Sequence, residues 1–175
     1  MRQFKFSRWV FLRWVSCVGL LLCLWLTWTS AAQASIHLYP EADGQVMYRS
    51  LQTLRDEGDR AWQTVLFKRV NHGQVTTLHL RLVGFPGAAE LLHPRSLHVS
   101  ATGSSRQWDA PDVFAIAALD PALATSVGEY EFRDIMAQLE TSLPLALTLP
   151  LQTGDSLSLT VPPFAVREWR KLLDR

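Results

Sequence analysis

The residues best suited to chemistry near neutral pH are five histidines, His37, His72, His79, His93 and His98, because imidazole is the side chain that changes charge there without perturbation. His79 and His98 occupy the polar positions of two alternating stretches. Both are therefore expected to point outward from strands and could become neighbours in a sheet, where a nearby carboxylate would complete a zinc or copper site. The compact spacings that hold metals, His-Glu-x-x-His or His-x-His, are missing, which favours solvated sheet histidines. His72 reads as a turn residue and His93, before Pro94, as a loop residue. Ser100, Ser104 and Ser105 lie close to His98 in sequence. Triads are defined by geometry rather than order, so a cofactor-free hydrolase remains open, but no Gly-x-Ser-x-Gly elbow exists and Ser104 and Ser105 suit a turn. Asp56, Glu57 and Asp59 could do acid–base work or hold calcium; Gly58 among them marks a hairpin tip instead. No Gly-rich loop opens a helix, so nucleotide binding lacks support. No catalytic residue, metal ligand or cofactor is assigned on these grounds.

Recognition is better supplied than catalysis. Gly84-Phe85-Pro86-Gly87 fits a turn or bulge in which Gly supplies positive φ and Pro fixes its own. Turns outnumber binding tips, which favours that reading; the sharper one is a rigid tip presenting Phe85 and Pro86. His79 and Arg81 point outward from the strand before it, so Phe85, Pro86, His79 and Arg81 form the candidate interaction surface.

The elements that must position these residues follow from periodicity. Arg60 to Val70 and Val75 to Val83 flank the short loop Asn71-His72-Gly73-Gln74, a hairpin signal. In the second run Leu78, Leu80 and Leu82 face one way and Thr77, His79 and Arg81 the other. Leu66 on one face, with Val65 and Phe67 on the other, predicts a middle strand covered on both sides. Val46 to Asp56 precedes them as a third strand of a meander, after an extended lead-in from Ser35 to Gln45. A second hairpin pairs Leu97 to Ala101 with Arg106 to Asp109. Pro111 to Leu119 reads as a short helix in which Asp112 complements the dipole, and Pro121 to Gly128 as loop. Phe132, Ile135, Met136 and Leu139 make a helical stripe. Leu145 to Leu151 and Leu157 to Val161 form the third hairpin. Pro162-Pro163 then opens a final helix with Ala165, Val166, Trp169, Leu172 and Leu173 on its apolar side. Its polar side is only mildly basic, which suits packing better than membrane adsorption. The sum is an α+β or mainly β fold: an antiparallel sheet or sandwich of about seven strands in three hairpins, with two or three short helices including the amphipathic C-terminal one.

Charge and the N-terminal segment bound the setting. Arg2, Lys5, Arg8 and Arg13 precede an apolar run from Val15 to Trp28, followed by Ala32-Gln33-Ala34. This is the pattern of a signal peptide over residues 1–34, leaving 35–175 as one exported globular domain. A retained leader would be an anchor, although the run is short for a span. Without those four residues the 17 basic side chains fall to 13 against 16 acidic ones. Such a body lacks the basic footprint that nucleic-acid binding needs. Cys17 and Cys23 both lie in the apolar run, so a processed body has no cysteine and no disulfide.

The segments Met47-Tyr-Arg-Ser50, Leu54-Arg-Asp56, Arg60-Ala-Trp62, Val65-Leu-Phe-Lys68, Leu80 to Gly87, His93-Pro94, Trp108, Ala110-Pro-Asp-Val-Phe114, Val161-Pro-Pro163 and Glu168-Trp169 resemble the cyanobacterial family catalogued as domain of unknown function 3122. They span nearly all of the body. The resemblance implies a photosynthetic bacterial setting, with export to the periplasm or thylakoid lumen, and transfers no catalytic residue. The expected role is a non-catalytic accessory or protein-interaction domain beside a membrane complex, with membrane contact only through a retained leader or the partner. A small-molecule or lipid carrier, with its cavity between sheet and helices, is the alternative.

Overall fold

The computed structural model describes residues 36–42, 44–87, 89–114, 125–139 and 143–175. Strands β1 (Ile36–Ala42), β2 (Gln45–Arg55), β3 (Ala61–Asn71), β4 (Gln74–Gly84) and β7 (Val127–Glu131) form a five-stranded sheet in the order β1-β2-β3-β4-β7. Strands β5 (Leu97–Ala101), β6 (Gln107–Ala110), β8 (Leu145–Pro150) and β9 (Ser156–Val161) form a four-stranded sheet in the order β6-β5-β8-β9. Every neighbouring pair is antiparallel. Helix α1 (Arg133–Gln138) is short, and α2 (Pro163–Leu173) is the C-terminal helix expected from its stripe. The expected three hairpins are present, within nine strands among the described residues rather than about seven. The lead-in is a true strand, β1, and part of the expected 121–128 loop belongs to β7.

The hairpin β3–β4 turns through His72 and Gly73, both at positive φ (47° and 81°). Two such residues in succession give the twist a two-residue hairpin requires. The register places Leu66 opposite Leu80 and Phe67 opposite His79. Leu54, Trp62, Leu66, Leu80 and Leu82 of the larger sheet share one core with Leu97, Val99, Leu145, Leu147, Leu149, Leu157 and Leu159 of the smaller. Period-two alternation therefore produces two sheets that each turn a leucine face inward. Gly84, opposite Trp62, is required by space: a Cβ there would lie 2.9 Å from the indole ring.

Two polar anchors fix the corners. Asp56, at the end of β2, accepts hydrogen bonds from the Gly58 and Arg60 amides (2.9 Å each), Arg60 Nε (2.7 Å) and Trp62 Nε1 (3.1 Å). Burial alone would raise its carboxyl; the bonds from Arg60 and Trp62 outweigh it and hold the group below the usual carboxylate range. Asp56 also bridges to Leu159 of β9, joining the two sheets at one edge without closing a barrel. At the other anchor, the inward-facing Lys68 donates to the carbonyls of Leu173 and Arg175 (2.9 and 2.7 Å). It thus caps the helix end where the dipole is negative. Burial pushes its ammonium down, with Asp174 opposing. Ser50 Oγ donates to Glu168 (2.5 Å), which seats α2 on the inner face of β2 and β3.

Candidate functional site

The outward positions of the larger sheet carry side chains from every one of its strands. Across one row the register aligns His37, Arg49, Phe67, His79 and Glu131; across the next it aligns Leu51, Val65, Arg81 and Glu129. His79 and Arg81 therefore share a face, as the alternation predicted, and they meet through Glu129. The Glu129 carboxylate contacts His79 Nδ1 at 2.7 Å and accepts from Arg81 Nε and Nη2 at 2.9 and 2.5 Å. His79 Nε2 lies 3.2 Å from Glu131. Burial would raise the Glu129 carboxyl, but the hydrogen bonds from His79 and Arg81 and their positive charge hold it below its ordinary value.

Phe67 lies beneath this network. It is on the outward face, yet only 4% exposed. It does not belong to the core shared by the two sheets. The guanidinium carbons of Arg69 and Arg81 stand 5.2 and 5.5 Å from its ring centroid, and the His79 ring meets it edge-on at 5.7 Å. Long polar side chains thus shield an aromatic ring with their stems and charges. The middle strand is covered on both sides as expected, with arginine and histidine forming the outer cover.

Beside the network, Arg69 Nε bonds both oxygens of Glu41 (3.3 and 3.1 Å). Arg49 stacks on the Tyr39 ring with its guanidinium carbon 3.8 Å from the centroid, and it donates to the Tyr39 hydroxyl. Tyr39 is 37% exposed and Leu51 38%.

The other two residues of the expected surface lie elsewhere. Phe85 is 68% exposed in the turn after β4, and Pro86 follows it. Five residues, Leu80 to Gly84, lie between His79 and Phe85, so about 20 Å of extended chain separates the two. The tip and the outward face are two separate features.

The remaining histidines are distributed differently from the sequence expectation. His79 and His98 are not neighbours: they belong to different sheets, on β4 and β5, and each points away from the shared core. His98 instead pairs with Asp109 across the β5–β6 ladder at 2.9 Å. That pair borders a surface groove of about 610 Å³ that Arg95, Thr148, Asp155 and Ser156 also line. His93 is no simple loop residue. Its side chain is buried with that of Asp112: Nδ1 lies 2.5 Å from the carboxylate, and Nε2 donates to the Val127 carbonyl (3.1 Å). A carbonyl can only accept, so Nε2 is committed and cannot act as a base toward a hydroxyl. Asp112 does not open a helix. The expected helix lies outside the described residues from 115 onward, and Pro111 to Val113 runs alongside β7 instead, with Val113 donating to the Glu129 carbonyl at 2.8 Å. Buried between these elements, the Tyr130 hydroxyl is pushed up by desolvation and then by the Asp112 charge. Ser104 donates to Ala101 and accepts from Arg106, as a turn residue does. No group of three or more metal-binding side chains occurs among the described residues.

Sequence reasoning passed over Arg49, Tyr39, Asp109, Glu129 and Glu131. Only the alternation of Val127 to Glu131, which puts two acids on one side and Tyr130 on the other, could have signalled part of this set.

The fold and this face define an antiparallel two-sheet β protein with a structured outward surface. The chain belongs to the family described as Protein of unknown function (DUF3122), whose profile matches residues 34–172. Neither a curated protein nor a solved structure matches it. Among the described residues no helix is long and apolar enough to cross a membrane.

Proposed function

We propose that this protein is an exported, non-catalytic accessory or interaction domain that docks on a protein partner through the outward face of its larger sheet. One observation supports this above the others. Arg49, Tyr39 and Leu51 stand on that face, partly exposed, with Arg49 over the Tyr39 ring and next in register to the shielded Phe67. Arginine and tyrosine around an apolar centre make the composition of interface hot spots. The export reading rests on the leader pattern of residues 1–34. The periplasm or the thylakoid lumen is the compartment consistent with the cyanobacterial resemblance. Membrane contact would come from a retained leader or from the partner.

Native-gel migration of the endogenous protein, in gently solubilised membranes and in the soluble fraction, tests this reading. The expected result is migration with a larger complex, with Tyr39→Ser and Leu51→Asp together releasing the protein without lowering its melting temperature. Migration as a lone small species in both fractions would overturn it.

The groove beside His98 favours a second reading, a carrier of a small polar molecule. Its volume falls within the range of ligand sites, although it lies on the outer surface of the smaller sheet rather than between sheet and helices. Mass spectrometry under native conditions would reveal a retained ligand, and a ligand-free protein in every preparation would remove this reading.

A further inference from the structure

Four arginines project from adjacent strands on the outward face: Arg49 and Arg55 from β2, Arg69 from β3 and Arg81 from β4. Three of them have a carboxylate partner: Asp59 for Arg55, Glu41 for Arg69, and Glu129 for Arg81. Arg49 differs. It has no carboxylate partner among the described residues, its Nε is covered and without an acceptor, and its one bonded neighbour is Tyr39. With no carboxylate beside it among the described residues, the Arg49 charge has no counter-charge on this face, unlike Arg69 and Arg81. A guanidinium held over an aromatic ring and bonded to its hydroxyl is already ordered, so it loses little entropy on accepting a forked partner.

From this we infer that Arg49 is the anchor for a carboxylate carried by an acidic, apolar-flanked segment of the protein partner; the inference rests on the docking reading above. The chemistry of the neighbours sets the segment's character. Carboxylate oxygens match the guanidinium fork. Leu51 lies two residues along the same strand on the same face, and Tyr39 borders the site. Both are partly exposed, so an apolar side chain next to the acid finds a dry contact. An anionic lipid surface fits less well. Glu41, Glu129, Glu131 and Asp59 stand against Arg49, Arg55, Arg69 and Arg81, so the face carries no net excess of fixed positive charge to draw in an extended anionic plane. A single localised carboxylate aimed at Arg49 meets no such opposition.

The test places a photo-crosslinking amino acid at Thr53, an exposed position on the same face, in the full chain expressed in its native cells. Adduct yield is compared between the otherwise wild-type chain, Arg49→Gln and Arg49→Lys, and the joined peptide is sequenced by mass spectrometry. The expected adduct maps within a segment bearing aspartate or glutamate beside an apolar residue. Its yield should fall about tenfold in Arg49→Gln, the loss of one charge-assisted contact. It should fall less in Arg49→Lys, which keeps the charge and loses the fork. Melting temperatures of both variants should match the wild type. An adduct of undiminished yield in Arg49→Gln, or one mapping to a basic segment or to lipid, overturns the anchor. If that adduct joins a protein, the docking reading survives. No adduct from Thr53 in any version overturns both.

Discussion

The two sheets turn very different surfaces outward although their sequences alternate in the same way. On the larger sheet the outward residues are long: His79 and Arg81 pair with Glu129 and Glu131, Arg69 pairs with Glu41, Arg49 lies over Tyr39, and Arg69, Arg81 and His79 cover Phe67. On the smaller sheet they are short: Ser100, Thr148, Ser158 and Thr160 stand beside one solvent-facing pair, His98 and Asp109. Side-chain reach decides the outcome. Hydroxyl groups on a strand end at the sheet surface and hydrogen-bond water, whereas guanidinium and carboxylate groups meet their neighbours and build a thin ordered layer. A layer of that kind can recognise a partner with little ordering cost, while a hydrated face must first give up its water.

The largest expected effect contrasts a deletion on each face. Phe67→Ala should cost about 3 kcal/mol, as for a core phenylalanine, even though Phe67 points outward. Thr148→Ala on the smaller sheet should stay within about 0.5 kcal/mol. Urea unfolding measures both, and equal costs would break the contrast between the faces.

A smaller effect concerns charge. Glu129→Gln should destabilise by about 1–2 kcal/mol, because it weakens charge-assisted bonds from both His79 and Arg81. Its pH dependence has a definite sign. The carboxyl sits below its ordinary value in the folded state. Its contribution is therefore present above the unfolded value of about 4.3 and is lost as pH falls through the folded one. The stability gap between wild type and Glu129→Gln should hold from pH 7 to 5 and shrink below about pH 4. A gap that widens on acidification would contradict the assigned role of Glu129.

The smallest effects belong to the smaller sheet. Both side chains of its His98–Asp109 pair are largely solvent-facing, and such pairs contribute about 0–1 kcal/mol, less in salt. Asp109→Asn should shift the melting temperature by no more than a degree or two, and 0.5 M salt should remove the difference. A larger, salt-resistant shift would mean that the groove beside His98 is more ordered than its exposure implies.

Most of the fold could be read from local pattern. The β3–β4 hairpin, the two hairpins of the smaller sheet and α2 all carry a clean period of 2 or 3.6, and their inward and outward faces fell as the pattern demanded. The missed strands lack that signal. Strand β1 contains Pro40 and Glu41 and lies at a sheet edge, where few side chains need be apolar. Strand β7 is Val127-Gly-Glu-Tyr-Glu, a poor strand by propensity. It is held by pairing with β4 on one side and by bonds to Pro111 and Val113 on the other. The candidate site was half legible. His79 and Arg81 were placed on the correct face, but Phe85 and Pro86 proved to be a separate tip, and Arg49 carried no periodic or motif signal.

The sequence alone determined where the chain is extended, where it turns and which side of each strand is apolar, because those properties depend on residues two to four positions apart. Tertiary structure alone decided which charges meet. Arg81 finds Glu129 48 residues away, His93 finds Asp112 at 19, and Lys68 reaches the carbonyl of Leu173 at 105. The order of strands in a sheet brings such groups together, and that order follows from the joint burial of two leucine faces. The same order leaves Arg49 beside Tyr39 without a carboxylate at its Nε.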